Sequence, residues 1–376
     1  MTKQLKILAT AKQRGSVNVV APVVRELILR GHNVTVYATG NSNESAGFGN
    51  IPYQSIQPKE SDYPSLVNGF DRVIVGLSGY QTPDGYFLRA ANKAKISTIA
   101  IQDQDAGYLA RLGSKPEDFP TILAAMDDDC LETIVNELGE KIGKELTSRT
   151  RVIGWIAFDN YAGLKKSFNN KNRVELLKKI NLNPEKRVYV HFTQNVHPDS
   201  DYMKPITWSP EEKKQDFDYE MRVTESVFKV AYDLGLRLTI KPHPGEKFEI
   251  NHTKDMVKRF GFNYIPASAC DTKQLILSAD SISAGRSTCL TEACLFDKNT
   301  GGILLGLDYQ KIRAFPPVRL NAIPYTQDWD KIKEILSLIT SSDKDINKKL
   351  AEERKRFSVD GKATQRVTNL VYEMLG

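Results

Sequence analysis

Short, uninterrupted apolar runs alternate with amphipathic stretches of helical period along the whole chain, and the alternation restarts near its middle. In the first half the runs are 5–11 (LKILATA), 33–39 (NVTVYAT), 71–77 (DRVIVGL) and 96–104 (ISTIAIQDQ). Such runs suit parallel strands covered by helices on both faces, because a strand with one wet face would alternate apolar with polar residues. Between the first two lies 18–31 (NVVAPVVRELILRG), whose Val20, Val23, Val24, Leu27 and Ile28 fall on one helical face, with Gly31 where a C-cap belongs. With the glycine loop 14–18 (RGSVN) joining strand to helix, this is a βαβ unit. A helix at 84–95, a strand and helix within 121–139 and a short strand in 150–160 extend it to a doubly wound sheet ending at Tyr161.

The second half repeats the scheme. Helix 172–180, strand 186–194, helix 218–235 and strand 236–245 are followed by helix 252–261 and strand 263–268. Next come helix 271–280, strand 281–285, helix 286–297, strand 301–307 and helix 329–340. At 376 residues the chain exceeds one comfortable core and falls short of three, so two domains are expected. The expected fold class is therefore α/β, with two Rossmann-like parallel-sheet domains at 1–161 and 162–360. The segment 361–376 places Val367, Leu370, Val371 and Leu375 on one face and reads as a helix that crosses back to the first domain.

Composition narrows the function. The chain has 52 basic and 46 acidic residues, a net charge of +6 with no long basic run, which argues against a nucleic-acid partner. Cys130, Cys270, Cys289 and Cys294 are scattered at no metal-ligand spacing, and they read as free thiols, so no metal site is expected. No apolar run reaches membrane-spanning length and the first residues lack a signal-peptide core, so a cytoplasmic location is expected. A short amphipathic contact with a membrane surface stays open, as does the oligomeric state.

In an open α/β sheet ligands bind beyond the carboxyl ends of the strands, so the residues after each strand carry the functional argument. After strand 236–245, Lys241 and His243 offer donors to a phosphate, and two prolines with Gly245 fix the turn; the plain alternative is a rigid turn with an exposed histidine. In 285–293 (GRSTCLTEA), Gly285, Arg286, Ser287 and Thr288 open a helix as caps or phosphate ligands, and Glu292 can accept both hydrogen bonds of a ribose diol. Thr193, Gln194 and Asn195 end a third strand and are candidate phosphate or base contacts. The long stretch 195–210 holds His197 and Trp208 and reads as a lid or donor clamp. His191, inside its strand, reads as a core histidine. In the first domain Gly15 and Ser16 follow strand one, but the pattern is not GxGxxG, so no dinucleotide cofactor is expected. The loops 77–85 and 102–108 carry Asp84, Asp103 and Asp105, candidates for the base that takes a proton from an attacking hydroxyl; as plain alternatives they are caps.

Together, the His-Pro turn and the Gly/Ser turn ending in Glu292-Ala293 resemble the nucleotide-binding half of GT-B glycosyltransferases. Residues 278–303 resemble that family's Ala-Asp, small-residue turn and Glu-Ala run, with Asp297-Lys298-Asn299-Thr300 in place of its Gly-Lys-Pro ending. Residues 153–159 (IGWIAFD) resemble its Gly-x-Pro-x-Asp hinge entry, with Ala157 at the usual proline, and 360–371 resemble its closing helix. The resemblance implies two domains facing across a cleft, a nucleotide-sugar donor linked to UDP or to CMP/CDP, and a carbohydrate or lipid-linked acceptor held by the first domain. It also implies sugar transfer without an obligatory metal or other cofactor, with helix ends and cationic side chains at the leaving diphosphate. A non-hydrolysing 2-epimerase, a CDP-glycerol glycerophosphotransferase and a non-catalytic nucleotide-binding scaffold are the alternatives.

Overall fold

The computed structural model describes residues 4–40, 45–103, 107–194, 209–243, 252–285, 287–306, 312 and 315–374. Strands β1 (Lys6–Ala11), β2 (Asn33–Ala38), β3 (Gln54–Ser55), β4 (Arg72–Gly76), β5 (Ser97–Ile101), β6 (Ile122–Ala125) and β7 (Thr150–Val152) form one sheet in the order β3-β2-β1-β4-β5-β6-β7. Strands β8 (Tyr189–Phe192), β9 (Leu238–Lys241), β10 (Asn263–Tyr264), β11 (Ser281–Ala284), β12 (Asn299–Ile303) and β13 (Tyr325–Thr326) form a second, ordered β10-β9-β8-β11-β12-β13. Every pairing is parallel. In each sheet the winding reverses beside its first strand, between β1 and β4 and between β8 and β11. Those are the switch points at which α/β sheets open a crevice at their carboxyl ends.

Packing divides the chain into unit 1, Met1–Asn160 with Val359–Gly376, and unit 2, Tyr161–Ser358. In unit 1 the helix Arg14–Leu29 buries Val20, Val23, Val24 and Leu27 completely on the sheet, each contributing about 1.5–3 kcal/mol. Two details differ from the sequence expectation. Ile28 is 41% exposed, because it lies at the margin of the apolar stripe near the helix end. Residues 14–16, expected as a loop, form the helix's first turn, with Val17 N–H donating to the Gln13 carbonyl at 2.9 Å. The glycines here serve close packing: a Cβ on Gly15 would collide with the Asp103 carboxylate, and one on Gly76 with Ser16.

The last helix, Ala363–Glu373, belongs to unit 1. It buries Val367, Leu370 and Val371 in the same core as the first helix. Asp159 caps it, accepting from the Ala363 and Thr364 N–H groups at 3.1 and 2.6 Å, which satisfies two of the four donors a helix start leaves open. Farther along, Arg30 donates to Asn369 at 2.9 Å, and the His32 Nε2 and Tyr372 hydroxyl are 2.7 Å apart. Leu375 lies outside the described residues.

In unit 2 the longest helix, Pro210–Asp233, starts eight residues before the expected position. Ser209 and Glu212 exchange side-chain-to-backbone hydrogen bonds there, and Pro210 supplies a preset first turn. Val227, Phe228 and Ala231 pack against Leu238 and Ile240 of β9. Strand β12 begins two residues early, at Asn299. Its Gly301 is required by packing, since a Cβ there would enter Ile335 of the helix Ile332–Thr340. The expectations omitted β3 and β13, edge strands of two residues each. Among the described residues no helix is long and apolar enough to cross a membrane.

Candidate functional site

The carboxyl ends of β9, β8 and β11 stand side by side. Register pairs Phe192 with both Lys241 and Ala284, so the residues just beyond, Pro242, Thr193 and Gly285, share one edge. With strands about 4.8 Å apart, Pro242 and Gly285 are roughly 10 Å from each other across Thr193. This rim adjoins the β8/β11 switch point, and it gathers most of the candidates named for the second domain. Asn195, Gly245, Arg286 and the lid candidates His197 and Trp208 lie outside the described residues.

Lys241 is 2% exposed, and its ammonium donates to the Ala267 and Cys270 carbonyls at 2.7 and 3.3 Å. Burial lowers its pKa. Two of its three N–H donors therefore tie down the segment after β10, leaving one for a ligand. Burial also pushes the His243 imidazole down to about 4, so near neutrality the ring is an uncharged donor and acceptor. Thr193 is buried, and its N–H donates to the Lys241 carbonyl at 3.2 Å. At the third turn, Ser287 Oγ accepts from Cys289 N–H at 3.2 Å, whereas the Thr288 hydroxyl makes no cap bond. The helix that follows, Cys289–Leu295, begins three residues later than expected. Gly285 is not required by the fold, since an added Cβ would meet only the Ile303 carbonyl at an ordinary 3.6 Å.

Two oxygens on this rim stand out. Among the described residues, Gln194 Oε1 and Glu292 Oε2 are both buried and have no hydrogen-bond partner. A buried acceptor left unpaired costs about 1–3 kcal/mol, more when charged. Burial pushes the Glu292 carboxyl up to about 7, against the opposing pull of the Lys273 ammonium and the Tyr161 hydroxyl. Neither Tyr161 nor Lys273 carried a sequence signal. Of the 278–303 run, Asp280 is a brace: it accepts from Val188 N–H at 2.7 Å and Arg173 at 3.3 Å at the opposite end of the strands. His191 is 3% exposed and sits 2.7 Å from Ser283 Oγ, within the core.

Unit 1 has its own strand-end cluster beside the β1/β4 switch point. Asp103 follows β5 and pairs with Arg111 at 2.6 Å, with its side chain 4% exposed. Ser16 Oγ reaches Asp103 at 3.4 Å and Ser78 Oγ at 3.0 Å. Asp84, expected where the loop 77–85 meets the helix 84–95, is in the first turn of the helix Pro83–Lys93 and is 1% exposed. It accepts from the Lys12 and Ser78 N–H groups at 3.4 and 3.3 Å, and burial pushes it up to about 6. Asp84 thus braces two strand-end loops. Asp105 lies outside the described residues. Arg111, which fixes Asp103, was not legible in the sequence because its helix is five residues long and carries no periodic pattern.

Two parallel sheets of this order, each with a polar strand-end rim at its switch point, define a GT-B-fold protein. The chain is similar over 98% of its length to the UDP-GlcNAc 2-epimerase of Neisseria meningitidis solved bound to UDP-GlcNAc, at 16% identity and a TM-score of 0.65, with all of that chain covered. It is likewise similar to MurG of Acinetobacter baumannii, at 13% identity and 0.60, with 98% and 99% of the two chains covered. The wall teichoic acid polymerase TagF, soaked with CDPG, matches at 11% identity and 0.56 over 98% of this chain and 88% of that one. No family model matches the chain, and no curated protein sequence does.

Proposed function

We propose that the chain binds a nucleotide sugar on the unit 2 rim and acts on it as an enzyme, transferring the sugar to a carbohydrate or lipid-linked acceptor. One observation carries the reading: after β8 and on the helix after β11, Gln194 and Glu292 each leave a buried oxygen without a partner among the described residues. Both are acceptors, so they suit a ligand rich in O–H and N–H donors, such as a ribose and a nucleobase. His243, the third donor of Lys241 and the Ser287–Thr288 turn supply the complementary groups for phosphate oxygens. Asp103, held by Arg111 beside Gly15 and Ser16, is the carboxylate assigned to proton removal from an acceptor.

A second reading is 2-epimerisation of the bound nucleotide sugar. It is favoured by the similarity to the Neisseria 2-epimerase, whose structure this chain matches with a higher TM-score than it does MurG or TagF. The two readings share the donor site and differ in whether an acceptor is consumed. Titration calorimetry with UDP, CDP, CMP and GDP tests the shared part; the absence of binding by any of them at millimolar concentration refutes it. Proton NMR of UDP-GlcNAc incubated with the enzyme alone separates the readings, since a 2-epimer forming without acceptor selects the second. Phosphorus appearing in the acceptor product would instead select a glycerophosphotransferase.

A further inference from the structure

The positive charge of the chain is concentrated at the start of unit 2. Residues 161–187 hold six lysines and two arginines against Glu175 and Glu185, an excess equal to the net charge of the whole chain, +6; the remainder balances at 44 basic and 44 acidic residues. Both arginines are taken up by the fold. Arg173 donates to the Ser278 and Pro184 carbonyls at 3.1 and 2.7 Å and to Asp280 at 3.3 Å, and Arg187 donates to the Thr340 and Ser341 carbonyls at 3.0 and 3.4 Å. Lys165 pairs with Asp297. Arg187, Asp280 and Asp297 immediately precede β8, β11 and β12, whose first residues are in register, so these contacts lay the segment along the amino ends of the second sheet, opposite the rim. The helix Asn170–Lys179 then buries Leu176 and Leu177 and leaves Lys171, Glu175, Lys178 and Lys179 exposed on one face. Lys171 lies 3.9 Å from Glu175 with both side chains largely in water, a pair worth little. Among the described residues, the exposed Lys166, Lys178, Lys179 and Lys186 have no carboxylate partner.

We propose that this lysine face docks the protein on the surface of a membrane rich in anionic phospholipid. Lysine ammoniums are compact, strongly hydrated charges, and about four to eight of them on one surface suffice to hold a protein against a layer of lipid phosphates. Leu164 and Phe168, one turn apart beside Lys165 and Lys166, are only half-buried, so apolar carbon adjoins the charges as it does in helices that lie on a membrane. Other anionic partners fit less well. Nucleic acid is gripped by arginine forks and by exposed rings on which bases stack, whereas both arginines here are committed and Tyr161 is 2% exposed. A protein partner would have to strip water from the centre of the contact, where lysine is depleted, and a second copy would set like charges face to face. Docking by this end leaves the carboxyl-end rim uncovered and brings the chain to the surface where a lipid-linked acceptor resides. It does not rest on the reading of the rim as a nucleotide site.

The experiment is co-sedimentation of the full chain with vesicles of phosphatidylcholine alone and of phosphatidylcholine containing about a third phosphatidylglycerol, at about 0.05 M and about 0.5 M salt. Wild-type protein is expected to bind the anionic vesicles at low salt, to leave them at high salt, and to ignore the neutral vesicles throughout. Combining Lys166→Gln, Lys178→Gln, Lys179→Gln and Lys186→Gln should weaken low-salt binding at least about a hundredfold, each charge contributing about fivefold. A control with the same change in net charge, combining Lys93→Gln, Lys95→Gln, Lys115→Gln and Lys141→Gln at exposed positions of unit 1, should stay within about threefold of wild type. Equal weakening by the two variants assigns the attraction to net charge and overturns the proposal. So does a first variant that binds like wild type, wild-type protein that fails to bind the anionic vesicles at low salt, or binding that is the same on neutral vesicles or at high salt. A single-stranded oligonucleotide followed by fluorescence anisotropy decides the alternative: if it binds wild type at lower concentration than the anionic vesicles do and loses the first variant, the face serves nucleic acid and the lipid assignment fails. Vesicle binding is read without nucleotide, so its failure leaves the rim reading standing, and failure of UDP to bind leaves this one standing.

Discussion

Replacing His191 by Gln is expected to remove one of two comparable histidine contributions to the acid sensitivity of unit 2, the other being that of His243. The imidazole lies in the middle of β8, two residues before Thr193, with 3% of its surface exposed. Tyr189 donates to Ser283 Oγ at 2.8 Å, and Ser283 lies 2.7 Å from His191 Nδ1, so the serine proton goes to a ring nitrogen that carries none. Burial holds the imidazole neutral by lowering its pKa from 6.5 to about 4. In the unfolded chain the ring takes up a proton as pH falls through 6.5; in the folded chain it does so only near 4. The folded state therefore keeps its full stability above 6.5 and loses it progressively from there down to about 4, by about 3 kcal/mol in all. The carboxamide oxygen of the His191→Gln variant can accept the same serine proton, and the amide does not titrate. The measurement is amide hydrogen exchange of β8 and β11 at a series of pH values, corrected for intrinsic rates, in both proteins. His243 and the carboxylates titrate in both and cancel in the difference. If protection in wild type and His191→Gln falls in parallel between pH 6.5 and about 4, within about 0.5 kcal/mol, the assignment of the neutral imidazole is wrong.

Two further substitutions test unit 1. Gly15→Ala places a methyl group against the Asp103 carboxylate and forces it off Ser16 and Arg111; the expected outcome is turnover lowered by at least about tenfold with UDP affinity unchanged, and equal losses in both would remove Asp103 from the reaction. Leu370→Ala in the last helix empties a site 6% exposed and should cost roughly 2–5 kcal/mol by urea denaturation followed through unit 1. A loss under about 1 kcal/mol would mean that this helix is an appendage of the first core.

The parts of the fold legible in the sequence are those where burial is complete. Strands β1, β4, β5, β8, β9 and β11 are buried on both faces along nearly all of their length. The last helix was legible for the same reason, since Val367, Leu370 and Val371 recur at helical spacing with nothing nearby in sequence to cover them. What escaped were features set by partners distant in sequence. Residues 14–16 look like a loop because Gly15 and Ser16 are poor helix formers, but their small size is what lets this turn approach Asp103 and β4. Two-residue edge strands are paired by their neighbours' backbone and leave no pattern of their own.

The same division holds at the rim. His243, Ser287 and Glu292 could be singled out because a strand end followed by a turn rich in Pro, Gly and hydroxyl residues is a local signal, and topology then brings those turns to one edge. Tyr161 and Lys273 could not, because what matters about them is their effect on the ionisation of a carboxylate 131 and 19 residues further along the chain. A ring stacked on Phe296 beside a cation looks, residue by residue, like ordinary helix surface and core. The signal at Glu292 is the oxygen left unpaired: a fold that needed Glu292 only for stability would be expected to satisfy both oxygens or to leave the residue in water. The structure does neither, and a buried acceptor kept open at the carboxyl ends of β8 and β11 is the arrangement a donor-rich ligand completes.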